Sequence, residues 1–179
     1  MKKSVYKILT LISILLVSVE LFNITYYKYK GKKDIVSYYS NETNYNYKNA
    51  MVIYIPSINL NSVVKKADSN FKNLNKNLVY YNNNNYEEKI IILGHSGMGF
   101  GIFFNRIDEI KDNDEAKIYI GNKEIIYSFY KKYSVPSSFI EVLKNDEKRT
   151  LLLITCDKND KNRRLIVKFI LKEHKIVKK

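Results

Sequence analysis

Apolar residues in this chain fall into short runs separated by polar turns, with one long exception near the start. Ile8–Thr25, ILTLISILLVSVELFNIT, is apolar along almost all of its 18 residues. At about 1.5 Å per residue a helix of that length nearly crosses a hydrocarbon core of about 30 Å. Lys2, Lys3 and Lys7 precede the run, Tyr26, Tyr27, Lys28 and Lys30 follow it, and Glu20 sits where it can reach the interface. Val17–Thr25 contains no small-x-small cleavage pattern and no lipobox cysteine, so the pattern predicts a retained signal anchor over a cleaved signal. Lysines flank both ends, and the positive-inside count alone does not orient the segment. The chain therefore divides into a short tail (1–7), a transmembrane anchor (8–27), a polar, weakly patterned stalk (28–50), a folded domain (51–172) and a basic tail (173–179).

Within the domain the period is mostly two. MVIYI (51–55) predicts a strand punctuated by Pro56, and INLNSVV (58–64) alternates as a second strand. In 68–78 the residues Phe71, Leu74 and Leu78 lie at helix-like spacing, with Asp68 or Ser69 as N-cap. Asn82–Asn85 is a loop whose repetition carries no functional content. KIIIL (89–93) predicts a buried strand ending at Gly94-His95. In IFFNRIDEI (102–110), Phe103, Phe104, Ile107 and Ile110 share one helical face. AKIYI, Gly121-Asn122 and KEIIYSFYKKYSV (116–135) predict a hairpin with a tight turn. LLLIT (151–155) and LIVKFIL (165–171) are the last strands, and 136–149 has room for a turn or two of helix. Many short strands with one or two short helices predict a single mainly β domain, barrel or sandwich-like.

Composition changes this picture in two respects. The formal net charge is +13, which favours polyanionic surroundings such as lipid headgroups, wall polymers or nucleic acid. The lysines are scattered and lack the aromatic interleaving of a nucleic-acid module, so no nucleic-acid partner is expected. One cysteine in the whole chain excludes an internal disulfide.

That cysteine, Cys156, stands where an apolar strand meets a polar loop, and the bland role for it is a packed core residue. Its setting argues otherwise. His95 ends another apolar strand, and Arg163-Arg164 open a third. Thiol, imidazole and guanidinium supply a nucleophile, a proton donor and a cation for a developing oxyanion. The adjacent arginines point to opposite faces of a strand. Arg163 shares a uniformly apolar face with Leu165, Val167, Phe169 and Leu171; Arg164 shares a mixed face with Ile166, Lys168, Ile170 and Lys172. A charge fits the mixed face, because burying it unpaired is costly. Arg164 is thus the site candidate, and Arg163 reads as a solvated loop residue.

Other clusters carry less. His174 lies among the lysines of the tail and reads as exposed. GHSGMGFG (94–101) lacks the Gly-Lys-Ser/Thr ending of a phosphate cradle, and its glycines read as turn formers after His95. Asp108, Glu109, Asp112, Asp114 and Glu115 form an acidic cluster that reads as a solvated helix end.

Leu153-x-Thr155-Cys156, preceded by Gly94-His95 some sixty residues earlier and followed by Arg-Leu-Ile-Val at 164–167, resembles the signature of the sortase transpeptidases. IPSINLN (55–61) resembles their early strand pair, and 103–135 their helix, turn and paired strands. The resemblance spans about 51–171. It departs from the family at Leu152, where many members have threonine, and in NNNNYEEK (82–89), where they have Leu-Pro and glycines.

The resemblance implies an eight-stranded β-barrel behind a single-pass anchor, with the N-terminus cytoplasmic and the catalytic domain outside the cell membrane. It implies that Cys156 attacks an LPxTG-like sorting signal to form a thioester. His95 handles the protons and Arg164 the carbonyl oxygen, with Thr155 and Ser96 expected beside the substrate. An amine on a cell-wall precursor then takes the acyl group. Some members bind calcium; here Glu87 and Glu88 are the only acids in the corresponding loop, so no metal or cofactor is expected. The segment 31–50 lacks a lid motif and 136–149 is short, which leans towards a class A or D-like enzyme. A hydrolase with the same triad, and a tethered basic wall-polymer-binding protein with a vestigial site, are the alternatives.

Overall fold

The computed structural model describes residues 2–40, 50–81, 89–96, 103–139, 141–144 and 148–176. The long helix α1 spans Lys2–Ser40 and the single-turn α2 spans Glu141–Lys144. Eight strands make up the rest: β1 (Ala50–Ile55), β2 (Leu60–Lys66), β3 (Leu78–Tyr81), β4 (Lys89–Leu93), β5 (Glu115–Ile120), β6 (Lys123–Pro136), β7 (Thr150–Cys156) and β8 (Arg163–Ile176). They close into a barrel in the order β1-β2-β3-β4-β7-β8-β6-β5, with β5 returning to β1. Closure gives each of these strands a neighbour on both sides, which is how a sheet of this size limits edge-to-edge association. Two pairs are parallel, β2 with β3 and β4 with β7.

Alternation sorts each strand into an inner and an outer row. Met51, Ile53 and Ile55 of β1, Ile90 and Ile92 of β4, Leu151 and Leu153 of β7, and Val167 and Phe169 of β8 fill the barrel. The segment 103–110 plugs it. Phe104, Ile107 and Ile110 are fully buried, as their shared spacing predicts, although only Ile107–Glu109 is helical, as one 3-10 turn. Gly121 opens the β5–β6 hairpin at φ 59°, a conformation glycine adopts without strain.

Three sequence expectations give way here. The 68–78 segment forms only a 3-10 turn at Lys72–Asn75, and Leu78 opens β3 instead of closing a helix. Its N-cap is Phe71, not Asp68 or Ser69, although the Asp68 carboxylate accepts from the Lys72 and Asn73 N–H groups at 2.7 and 3.1 Å. In the stalk, α1 continues to Ser40. Tyr38 is buried with Ala50, Val52 and Val63 on the barrel exterior, beside Ile35 and Tyr119, and its hydroxyl donates to the Tyr119 carbonyl at 3.3 Å. The basic tail begins later than expected: β8 runs to Ile176, pairing His174 with Ile125 of β6. The tetra-asparagine loop, residues 41–49, Glu87 and Glu88 lie outside the described residues.

Candidate active site

β7 is held between β4 and β8, and its register fixes the surroundings of the thiol. Cys156 pairs directly with Arg164 across the antiparallel β7–β8 ladder. On the other side β4 runs parallel, with Leu93 opposite Ile154 and the Gly94 N–H donating to the Ile154 carbonyl at 3.1 Å. His95 and Cys156 each lie two residues beyond that last pair. Cys156 follows Leu152 and Ile154 in alternation, and Arg164 precedes Ile166. All of these belong to the outer row of the barrel, which is the mixed face predicted for Arg164. His95 is exposed and Cys156 half-buried, so the imidazole and thiol are accessible from solvent.

Below the thiol the outer face is apolar. Ile91, Leu152, Ile154 and Ile166 form a buried floor, with Leu93, Tyr133, Val135 and Leu143 of α2 packed around it. Burial raises the pKa of the Tyr133 phenol, which keeps it neutral and able to donate. At the far end of this floor Lys168 is buried. Its ammonium and that of Lys131 lie 5.4 and 5.5 Å from the centre of the Tyr130 ring. Desolvation first, and the neighbouring Lys131 charge second, lower the Lys168 pKa.

The two arginines differ in how their donors are used. Arg163 gives Nε to the Ser134 hydroxyl at 3.0 Å and Nη2 to the Ser134 carbonyl at 2.6 Å. It is half-buried at the first position of β8, which corrects its reading as a solvated loop residue: the inner row at the barrel rim offers it acceptors. Arg164 gives only Nη1, to the Lys161 and Arg163 carbonyls at 3.1 and 3.0 Å. Among the described residues its Nε and Nη2 make no hydrogen bond, so they can turn towards a ligand over the thiol.

Thr155 is not brought to this face. Its side chain follows the inner row and is buried, with Oγ1 lacking a hydrogen-bond partner among the described residues; it cannot reach a ligand on the outside. The Ser96 hydroxyl donates to the Cys156 carbonyl at 2.6 Å. Ser96 therefore fixes the nucleophile's backbone from the β4 side, while its lone pairs remain to accept.

Sequence reasoning missed Ser134 and Asp157. The Ser134 hydroxyl donates to Asp157 Oδ2 at 2.6 Å, and Asp157 Oδ1 accepts the Asn159 N–H at 2.9 Å. These bonds, the Ser134 one foremost, hold the Asp157 carboxyl below its ordinary pKa, and the Arg163 charge adds to them. The one available signal was the carboxylate next to the only cysteine. Asp108 pairs with Lys158 at 2.9 Å, Glu109 with Arg106 at 2.6 Å and Glu115 with Lys172 at 2.5 Å. Those acids are satisfied by cations, and no group of three His, Cys, Asp or Glu side chains converges among the described residues.

The family model that matches is the Sortase domain, over residues 53–171. Similar solved structures include Listeria monocytogenes sortase A, at 20% identity and TM-score 0.66, covering 73% of this chain and 92% of that one. Streptomyces coelicolor sortase E1 with a tripeptide in the active site matches at 18% identity and TM-score 0.62, covering 72% and 90%. A Clostridium perfringens sortase D5 transpeptidase matches at 21% identity and TM-score 0.59, covering 87% and 99%. No curated protein sequence matches the chain.

Proposed function

Because this chain belongs to the sortase family, whose activity is cysteine transpeptidation, we propose that it cleaves an LPxTG-like sorting signal at Cys156 and passes the acyl group to an amine of the cell wall. The observation that carries this reading is the in-register pairing of Cys156 with Arg164 on the outer face, with His95 beyond the end of the adjoining strand. The partly buried Leu93, Tyr133, Val135 and Leu143 around the apolar floor suit the aliphatic leucine and proline of such a signal.

The Cys156 sulfur attacks the carbonyl carbon of the Thr–Gly bond. As negative charge builds on the carbonyl oxygen, donors must meet it. The N–H that follows the nucleophile is already given to the Arg163 carbonyl at 3.1 Å, which leaves the unengaged nitrogens of Arg164 for this role. Collapse expels the glycine amine, protonated by His95, and leaves a thioester. The incoming amine attacks the thioester carbon, loses a proton to His95 and releases the Cys156 thiolate, which restores the starting thiolate and protonated imidazole. Proton transfer of this kind is worth roughly 10²–10⁴-fold.

The helix Lys3–Asn23, long and apolar enough to cross a bilayer with its side chains uncovered by the barrel, supports a single-pass anchor; the barrel outside the cell is the orientation that wall anchoring requires. The test is to incubate the full-length protein in detergent with a library of sorting-motif peptides and an amine acceptor, and to read the products by mass spectrometry. An acyl adduct on Cys156 and a peptide–amine product are expected. Only hydrolysed peptide would make the protein a hydrolase, and no adduct in any peptide would refute the proposal.

A further inference from the structure

We propose that Arg163, Ser134 and Asp157 form a clamp at the barrel rim that positions Cys156 and Arg164 for reaction. The proposal rests on the transpeptidase reading for its consequence but on hydrogen bonds for its existence.

Three strands meet at this rim. Val135 of β6, Arg164 of β8 and Cys156 of β7 occupy one register row and face the groove. Pro136 pairs with Arg163 one step further out. On the inner side, directly behind the reactive row, the Arg163 guanidinium grips β6 through both the hydroxyl and the carbonyl of Ser134. The same hydroxyl donates to the carboxylate of Asp157, the residue after the nucleophile. The Asp157 N–H returns to the Arg163 carbonyl, and the Ser137 N–H reaches the Asn162 carbonyl at 2.7 Å. A closed circuit therefore links β6, β7 and β8 at the level of the thiol.

The chemistry of the members is matched. Ser134 has one proton and gives it to the carboxylate, and its lone pairs accept from a guanidinium that is charged at all working pH values. The Ser134 bond first, then the Asn159 N–H, lower the Asp157 pKa and favour its carboxylate form. Arg164 is tied only through Nη1, whereas Arg163 has Nε and Nη2 both committed to Ser134. Ser96 completes the arrangement from β4 by holding the Cys156 carbonyl. Cys156 is thus restrained on each side of its own peptide, while its side chain is left free to react. Among the described residues the hydrogen bonds of the Arg163, Ser134 and Asp157 side chains go to one another and to backbone, not to the thiol; they are positioning residues.

The experiment uses the full-length protein in detergent, with a sorting-motif peptide, a glycine-amine acceptor and, separately, iodoacetamide. Cys156 is the only cysteine, so alkylation reports one position. For Ser134→Ala we expect kcat to fall about tenfold with KM within about twofold, since displacement of reacting groups costs rate more than binding. The alkylation rate should shift by about threefold or more as the thiol leaves its fixed setting. Ser134→Thr, which keeps the hydroxyl, should restore both. The Ser134→Ala/Arg163→Ala double variant should lose about as much as either single variant, because the two act as one unit.

The clamp is overturned if a folded Ser134→Ala keeps kcat and alkylation rate within about twofold of wild type. It is also overturned if Ser134→Thr is as defective as alanine, or if the two losses simply add. Should Ser134→Ala fail to fold, Arg163→Lys, which keeps the charge and loses the fork, is judged by the same limits. A wild-type protein that is alkylated but transfers no acyl group refutes the transpeptidase reading, and the clamp then stands or falls on the alkylation rates.

Discussion

Replacing Gly94 with alanine places a methyl group where the barrel has no room for it. The new Cβ would lie 2.5 Å from Leu78 Cδ2, 2.7 Å from Phe104 Cδ2 and 3.0 Å from Phe104 Cγ. Carbon atoms pack at about 3.5–4.0 Å, so two side chains must each retreat by about 1 Å. Neither can do so freely, since Leu78 and Phe104 are both fully buried. Overpacking of a close-packed core costs about 1–3 kcal/mol. With a urea slope of about 2 kcal/mol per molar, the unfolding midpoint should drop by about 0.5–1.5 M. Tyrosine fluorescence can follow the transition, as the chain has 16 tyrosines and no tryptophan. Activity should suffer as well. The Phe104 N–H donates to the His95 carbonyl at 3.1 Å, so a displaced Phe104 pulls on the backbone of the imidazole, and kcat/KM should fall about tenfold or more. Combining Gly94→Ala with Phe104→Leu removes ring atoms that the methyl strikes, and the pair should be less destabilised than the sum of the two changes. An unchanged urea midpoint for Gly94→Ala would refute the close approach as the reason for this glycine.

Arg164→Ala and Arg164→Lys should both lose about 10²–10³-fold in kcat/KM with little change in urea midpoint, because lysine keeps the charge without the planar fork; a lysine variant within a few-fold of wild type would remove Arg164 from the oxyanion role. A flexible Gly-Ser insertion between Asn23 and Asp34, or Tyr38→Ala, should leave turnover of a soluble peptide unchanged and slow turnover of a bilayer-tethered peptide several-fold, measured in liposomes. Equal effects on both substrates would show that the helix does not orient the barrel.

The parts of the fold that read directly from sequence are those whose burial is set by the segment itself. KIIIL is β4 to the residue, and the hairpin about Gly121-Asn122 is β5–β6, because a two-sided apolar run and a glycine turn leave little choice. Phe71, Leu74 and Leu78 misled for the opposite reason. Their spacing fits a helix, but the asparagines between them are poor helix formers, and tertiary partners divide them: Phe71 sits at φ 54° and packs against the Tyr81 ring at 6.0 Å, while Leu78 enters the barrel. Helical continuation of the stalk depends on a face for Tyr38 that exists only once β1, β2 and β5 have assembled. At the site, strand ends bearing Cys, His and Arg were visible as boundaries between apolar runs and polar loops. The Ser134–Arg163 contact was not, because it requires the β6–β8 register, and that register shifts between Ile126 and Tyr127 and between Phe129 and Lys131. Gly94 was legible as a glycine but not for its cause: its φ is not among the positive ones, and the need is space, not a turn.

The order of strands also explains how one small barrel can serve two attachments at once. In a closed ring of eight, β1 and β7 are four places apart whichever way the ring is followed. Tyr38 and Ile35 seat α1 on the outer rows of β1, β2 and β5, and the thiol stands on the outer row of β7. The helix and the thiol therefore lie on opposite sides of the barrel, with the packed interior between them. Asn23, where the apolar segment ends, and Tyr38 are fifteen positions apart on one continuous helix, a rise of about 22 Å. With the apolar half of α1 in the bilayer, as proposed, that helix holds the barrel clear of the surface and turns the groove away from its own axis. A flexible stalk would let the basic barrel settle on anionic headgroups in any orientation, including the one that buries the groove. With α1 in a bilayer as proposed, a docked helix would exclude that orientation, which would give a physical reason for a buried tyrosine in a segment whose composition alone reads as a linker.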